Sequence, residues 1–259
     1  MDIIEAASAS VNRHPWELAR LSILFKIIDQ YLPTAGTKLI LDMGCGDGFF
    51  AEQLLCHRQD VHILAIDPAY TDEGIQAKLS AINNERFQLH QTLEPETIPA
   101  FHEKIDMVLL LDVIEHIEDD KAFLKNLAKH PKIEGSTQFL ITVPAFQSLF
   151  TKHDTFLKHY RRYTKNTLQK TVEEANLSPI GAGYFFTSLL PLRLVQKVLS
   201  ILGFAGKKEG VGHWKNGSLL TTAVKKALLL DYKLTSLLKR AGIQAPGLST
   251  YCLCKKSAS

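Results

Sequence analysis

The sequence predicts an α/β fold in which a mostly parallel sheet is covered by helices on both faces. Three observations carry this. Strand-like runs alternate with helical stretches from residue 38 to residue 186. The runs are apolar at successive rather than alternate positions, as strands buried on both faces require. The first run, KLILDM at 38–43, ends in the glycine turn GCGDG, and a helix-patterned apolar segment follows at once.

The elements follow in order. Residues 15–32 place apolar side chains at 21, 24, 25, 28 and 32, the helical period, with Pro15 suited to a first turn and Pro33 as the stop. After the 38–43 strand and its turn, a helix runs through about residue 58. Further strands are expected at 61–67, at 86–91, within 104–117 and at 136–146. The charged segment 118–130 reads as a helix, as does 165–177, and 179–186 reads as the next strand. Residues 191–202 form a helix whose polar stripe is Arg193, Gln196, Lys197 and Ser200. A Gly/Lys stretch at 206–218 reads as a mobile loop. A long helix at 219–240 and a last strand at 249–256 complete the chain. The roughly sixty residues between the last two strands exceed what a hairpin needs. The expected division is an N-terminal helical cap at 1–36, a core at 37–186, a helical insert or lid at 187–248, and a last strand and tail at 249–259.

Composition bounds the function. With 259 residues, 46% of them apolar, the chain can bury one large core with an elaborated lid. Four cysteines without CxxC pairing or zinc spacing read as free thiols in a reducing compartment. The N-terminus lacks a signal-peptide core, so a cytoplasmic location is expected, and no apolar run is long enough to span a membrane. Residues 1–150 carry 12 Lys/Arg and 22 Asp/Glu, and residues 151–259 carry 18 and 5. The basic half suits an anionic partner: a phosphate-bearing substrate, a membrane or a nucleic acid. Equally, the two halves could neutralise each other.

The turn at Gly44-x-Gly46-x-Gly48 is not the dinucleotide fingerprint, because Phe49 stands where the third glycine belongs. Asp42, at the end of its strand, would repel a diphosphate but suit a cation. Asp67 follows at the end of the second strand, where a carboxylate can hold ribose hydroxyls. A nucleoside with a cationic tail and no phosphate satisfies these points, and S-adenosyl-L-methionine is such a molecule.

LILDMGCGDGFF resembles motif I of class I S-adenosylmethionine-dependent methyltransferases. AIDP is similar to the family's ribose-binding step, and IDMVLLLDVIEHI to the fourth-strand motif of the small-molecule branch with the ubiquinone-type enzymes. The resemblance covers residues 38 to 146. It implies a Rossmann-like seven-stranded mostly parallel sheet with a reversed last strand, supplied by STYCLCKK. It also implies that Gly44, Cys45 and Gly46 lie along the cofactor. Asp42 would orient the methionine end, Asp67 take the ribose and Asp112 line the pocket below. HPWELAR (14–20) is similar to a cofactor-covering helix, in which Trp16 would shield the site and Arg20 reach the cofactor carboxylate; a Trp there can also be plain core. The chain departs from the family after the third strand: where the family often has an acid for the adenine amino group this chain reads QLHQTLEP, so Gln91 or a backbone group would serve.

Methyl transfer needs alignment, exclusion of water and, for some acceptors, a base. His116, in EHIEDD after the fourth strand, titrates in the right range. The segment 153–164 (HDTFLKHYRRYT) adds His159 and Tyr163 as catalytic candidates, and His153, Arg161 and Arg162 as ligands of an anionic acceptor. The branch often shows a similar segment. Adjacent His153 and Asp154 lack facial-triad spacing, so no metal is expected. The apolar helix 191–202 and the lysines after it suit a lipid-like or phosphate-bearing acceptor, or peripheral contact with the inner face of a membrane. An ordinary lid or dimerisation helix would look the same. The expected function is methyl transfer to a small, hydrophobic, anionic acceptor, lipid-linked or quinone-like. A nucleic-acid enzyme is disfavoured because no N-P-P-Y-type tetrad follows the fourth strand. A protein methyltransferase, or a non-catalytic scaffold using the apolar 189–204 surface, remains an alternative.

Overall fold

Strand β1 (Lys38–Met43) buries five of its six residues. Such a strand is satisfied only inside a sheet with both faces covered. The computed structural model describes residues 13–92, 104–201 and 217–257 and shows this arrangement. The other strands are β2 (Val61–Ile66), β3 (Phe87–His90), β4 (Met107–Leu111), β5 (Gln138–Pro144), β6 (Leu177–Phe185) and β7 (Ser249–Lys256). They form one seven-stranded sheet in the order β3-β2-β1-β4-β5-β7-β6. β1 pairs in parallel with β2 and β4, and only β7 runs against its neighbours β5 and β6. The expected reversed last strand is therefore present.

The helices are α1 (Pro15–Tyr31), α2 (Phe49–His57), α3 (Asp72–Ile82), α4 (Asp120–Ala128), α5 (Lys152–Phe156), α6 (Lys165–Glu174), α7 (Leu189–Ile201) and α8 (Ser218–Arg240). They bury two apolar clusters against the sheet. One joins Met43, Val108, Ile141 and Cys252 to Leu124 and Leu127 of α4 and Leu168 and Val172 of α6. The other joins Ile40, Ile63 and Leu140 to Ile23, Leu24 and Ile28 of α1, Leu54 of α2 and Leu228 of α8. Each fully buried aliphatic side chain contributes about 1.5–3 kcal/mol. α1 starts as its sequence requires: the His14 ring accepts from Trp16 N, the Glu17 carboxylate accepts from His14 N, and Pro15 follows the cap.

Several expectations need correction. α3 and α5 were not anticipated. α3 has no fully buried residue; its short stripe of Ile75, Leu79 and Ile82 is only partly buried against the second cluster. The 165–177 helix stops at Glu174, because Asn176 turns left-handed at φ 62° and Leu177 pairs with Lys256 to open β6. The Gly/Lys stretch lies outside the described residues except for its last two.

Candidate active site

The sheet order reverses between β1 and β4: the chain proceeds outward through β2 and β3, then returns to the other side of β1. Ligands of open α/β sheets bind at such a switch point, beyond the carboxyl ends of the strands. A cavity of about 580 Å³ lies there.

The glycine turn forms one wall. Gly44 has φ 69°, and a Cβ on it would lie 2.8 Å from Val113 Cγ2; only glycine fits both the backbone and the space. Gly44 N donates to the Ile66 carbonyl at 2.7 Å. Asp67 braces the turn: its Oδ2 accepts from Gly46 N and its Oδ1 from Ala69 N, both at 2.9 Å. Asp42 is 2% exposed, and its Oδ2 is buried without a partner among the described residues. Burial above all, with the charge of Asp67 adding, pushes the Asp42 carboxyl up to about 7. The Cys45 thiol is held protonated, its pKa raised by burial and then by Asp42 and Asp67.

Helix α1 closes the cavity with Trp16 and Arg20. Arg20 Nη1 pairs with Asp112 Oδ2 at 2.6 Å, and its Nη2 donates to Thr142 Oγ1 at 2.8 Å. Its Nε is buried without a partner among the described residues. Asp112, just past β4, has φ 59° and donates its N–H to the Thr142 carbonyl. Trp16 is half-buried, lining the cavity and also packing on the second apolar cluster.

A histidine cluster forms another wall. The turn after β4 carries Glu115 and His116, and the segment after β5 carries His153, Asp154, His159 and Arg162. The rings of His116 and His159 meet edge-on with centroids 4.6 Å apart. Asp154 is the hub: its Oδ1 contacts His159 Nδ1 at 3.1 Å and accepts from Arg162 Nε at 2.7 Å, while its Oδ2 accepts from Thr151 N at 2.7 Å and Thr151 Oγ1 at 3.0 Å. Although burial opposes ionisation, the bonds from His159 and Arg162 hold its carboxyl well below the usual range. An ionised carboxylate can only accept, so a neutral His159 carries its proton on Nδ1, which leaves Nε2 as an acceptor. Glu115 is 0% exposed, and both its oxygens lack partners among the described residues. Burial, then the nearby charge of Asp112, raises its pKa well above the ordinary value.

Ligating atoms of Glu115, His116 and His159 lie within 4.8 Å of one another. Of the 153–164 segment, His159 enters this group, while Asp154 is engaged by Thr151, His159 and Arg162.

Two candidates fall outside the cavity. Tyr163 is 3% exposed, and its hydroxyl donates to Asp120 Oδ2 at 2.6 Å. Its backbone is tied to Pro144 and Phe146 beside β5. Arg161 pairs with the same Asp120 at 3.1 Å. The sequence reading also missed cavity residues contributed by distant elements: Phe186, Leu189, Arg193 and Leu248. No local pattern marks them. Glu115, beside His116 in the EHI turn, also lines the cavity.

A family model described as a methyltransferase domain matches residues 17–180, well over half of the chain. The chain belongs to this methyltransferase domain family. The membership bears out the class I S-adenosylmethionine-dependent resemblance of residues 38 to 146, and S-adenosylmethionine is the cofactor that goes with it. The cavity fits that molecule: the unpartnered Asp42 carboxylate calls for a cationic group, and Gly44 lets a ligand approach the backbone. Among relatives, the ubiquinone biosynthesis O-methyltransferase of Bartonella tribocorum is 32% identical over 96 residues, 37% of this chain and 38% of that protein. That of Rickettsia akari is 30% identical over 134 residues, 51% of this chain and 43% of that protein. The chain thus spans about two fifths of the length of these curated relatives. Among solved structures, phosphoethanolamine N-methyltransferase 2 of Haemonchus contortus covers 92% of this chain and 53% of its own at 14% identity, with a TM-score of 0.56. The cyclase SpnF covers 92% and 82% at 13% identity, with a TM-score of 0.53. A methyltransferase-like fold alone therefore does not fix the chemistry.

Proposed function

We propose that this chain transfers the methyl group of S-adenosylmethionine to a small, hydrophobic, anionic acceptor of the lipid-linked or quinone-like kind. One observation carries the reading: a single cavity is lined both by the glycine turn with its unpartnered Asp42 and by the His116–His159 pair with Arg162. The relatives named as ubiquinone biosynthesis O-methyltransferases favour an oxygen as the atom methylated.

When bound, S-adenosylmethionine supplies a methyl group already activated on a sulfonium sulfur. The chain's residues then have to bind, align and exclude water. Asp42 would hold the amino group and Arg20 Nε the carboxylate of the methionine end. Asp67 would hold the ribose, since each carboxylate oxygen accepts more than one hydrogen bond. Gly44, Cys45 and Gly46 would form the floor, Asp112 the adjoining wall and Trp16 the cover. Arg162 and His153 would grip the acceptor's anionic group. His159, oriented through Nδ1 by Asp154, would take the acceptor proton on Nε2, with His116 against its edge. Tyr163 and Arg161 have no part in this reading, because both are engaged by Asp120.

Calorimetric titration with S-adenosylmethionine and S-adenosylhomocysteine tests it. Micromolar binding is expected, and Asp67→Ala should weaken it at least about tenfold. An absence of binding to either compound would refute the reading, and an unchanged affinity in Asp67→Ala would remove the ribose assignment. Turnover is then sought with prenylated phenols.

A further inference from the structure

Helix α7 is built inside out. Its half-buried positions are Leu189, Leu190, Arg193 and Lys197. Leu189 and Arg193 line the cavity, and Lys197 donates to the Ser148 carbonyl. The helical step that turns these inward turns Leu192, Val195 and Leu199, with Leu194 and Val198, outward. Those five are 43–55% exposed. A helix on the surface of a globular protein normally shows the reverse, its apolar stripe in and its polar stripe out. α8 repeats the theme: Leu219, Leu230, Leu234 and Leu237 are 49–88% exposed along one stripe. Lys226, Lys233 and Arg240, seven residues apart and all exposed, run beside it.

Charge identifies what covers this surface. The described residues among 187–248 carry seven Lys/Arg and one Asp/Glu, a balance of +6. That acid, Asp231, is spent on the start of α7, accepting from Thr187 N at 2.9 Å and Ser188 N at 3.0 Å. A second copy of the chain would set one basic surface against another. An anionic bilayer matches both features, offering acyl chains to the leucines and headgroups to the lysines.

We infer that the outer face of α7, with the basic flank of α8, docks on an anionic lipid bilayer. The cavity wall formed by Leu189 and Arg193 then stands next to the leaflet, so that a hydrophobic acceptor can enter without crossing water. This last clause rests on the function proposed above; the docking itself does not. No helix among the described residues is long and apolar enough to cross a membrane, so the contact is peripheral.

Flotation with phosphatidylcholine vesicles, with and without phosphatidylglycerol, tests the docking. The chain should float with the mixed vesicles, not with phosphatidylcholine alone, and less as salt rises. Leu192→Glu with Val195→Glu and Val198→Glu should lower partitioning at least about tenfold while leaving S-adenosylmethionine affinity unchanged. Lys226→Glu with Lys233→Glu, which leaves the apolar face intact, should lower it by a similar factor. Flotation of both variants equal to that of the wild type would overturn the inference. So would a lipid-free dimer in sedimentation velocity that the triple variant converts to monomer. Cofactor binding without flotation would sink the docking alone; flotation without cofactor binding would sink the proposed function alone.

Discussion

Arg20 on α1 and Asp112 at the end of β4 form an ion pair at 2.6 Å, and Thr142 on β5 bridges them by hydrogen bonds to both. The covering helix is thereby locked to the strand end that shapes the cavity floor. The Arg20 side chain is 15% exposed and that of Asp112 is 36% exposed, so screening is partial and the pair is worth about 1 kcal/mol. A double-mutant cycle with Arg20→Ala and Asp112→Asn should show a coupling of that size in the urea midpoint. Arg20→Ala should also weaken S-adenosylmethionine binding about tenfold. Additive effects on stability would mean that the pair does not hold the helix.

Cofactor affinity should depend on pH through Asp42. Its carboxyl is raised to about 7 by burial, with Asp67 adding to the shift. A folded-state value above the unfolded one means that ionisation costs stability, so this group weakens the empty protein as pH rises from about 4 through 7. A cationic ligand binds the ionised form. Affinity should therefore climb up to about tenfold per unit as pH rises toward 7, then level off. Asp42→Asn should flatten that climb and bind more weakly at neutral pH. The check is calorimetry on both proteins between about pH 5.5 and 8. A wild-type affinity that does not change with pH would separate Asp42 from the ligand's charge.

Much of the fold was legible because strands buried on both faces announce themselves, and the strand limits expected from sequence agree to within a few residues. α3 was missed because its stripe is short, with Ile75, Leu79 and Ile82 only partly buried. The glycine turn, Asp42 and Asp67 could be read because each stands at the end of a strand, where local sequence fixes position. The wall formed by residues 153–163 could not be sorted the same way. Arg161, Arg162 and Tyr163 are consecutive, and which side chain enters the cavity is set by long-range bonds: Tyr163 to Pro144 and Phe146, Arg162 N to Gln147, and Tyr160 N to Glu115. The sequence likewise showed the polar stripe of α7 but not that its Arg193 and Lys197 turn toward the protein.

Asp154 serves four donors with two oxygens: Thr151 N, Thr151 Oγ1, His159 Nδ1 and Arg162 Nε. An amide has one acceptor oxygen, so Asp154→Asn must abandon one side of the network. A loss of about 1–3 kcal/mol is expected. The same substitution should reduce kcat at least about tenfold, since His159 loses the partner that sets its tautomer. Because the carboxyl lies below its usual range, its stabilisation is present above about pH 4 and fades as pH falls below that. Urea midpoints of wild type and Asp154→Asn should therefore converge in acid. A constant gap down to about pH 2 would contradict the assignment.

The two adjacent arginines should separate. Arg162 lines the cavity, donates to Asp154 and also reaches the Ala145 carbonyl at 3.3 Å. Arg161 faces Asp120, which also receives the Tyr163 hydroxyl. Arg162→Ala should raise the acceptor KM and lower kcat, with cofactor affinity little changed, because the guanidinium is lost from both the acceptor wall and the His159 support. Arg161→Ala should leave both kinetic constants near wild type and cost at most about 1 kcal/mol, as its side chain is one third exposed. Tyr163→Phe should cost about 1–2 kcal/mol, because Asp120 loses a buried donor, and should leave turnover per folded molecule intact. Steady-state kinetics on the three variants, normalised to the folded fraction, would decide the matter. A kinetic defect in Arg161→Ala equal to that in Arg162→Ala would show that Asp120 couples to the site and that the division of roles is wrong.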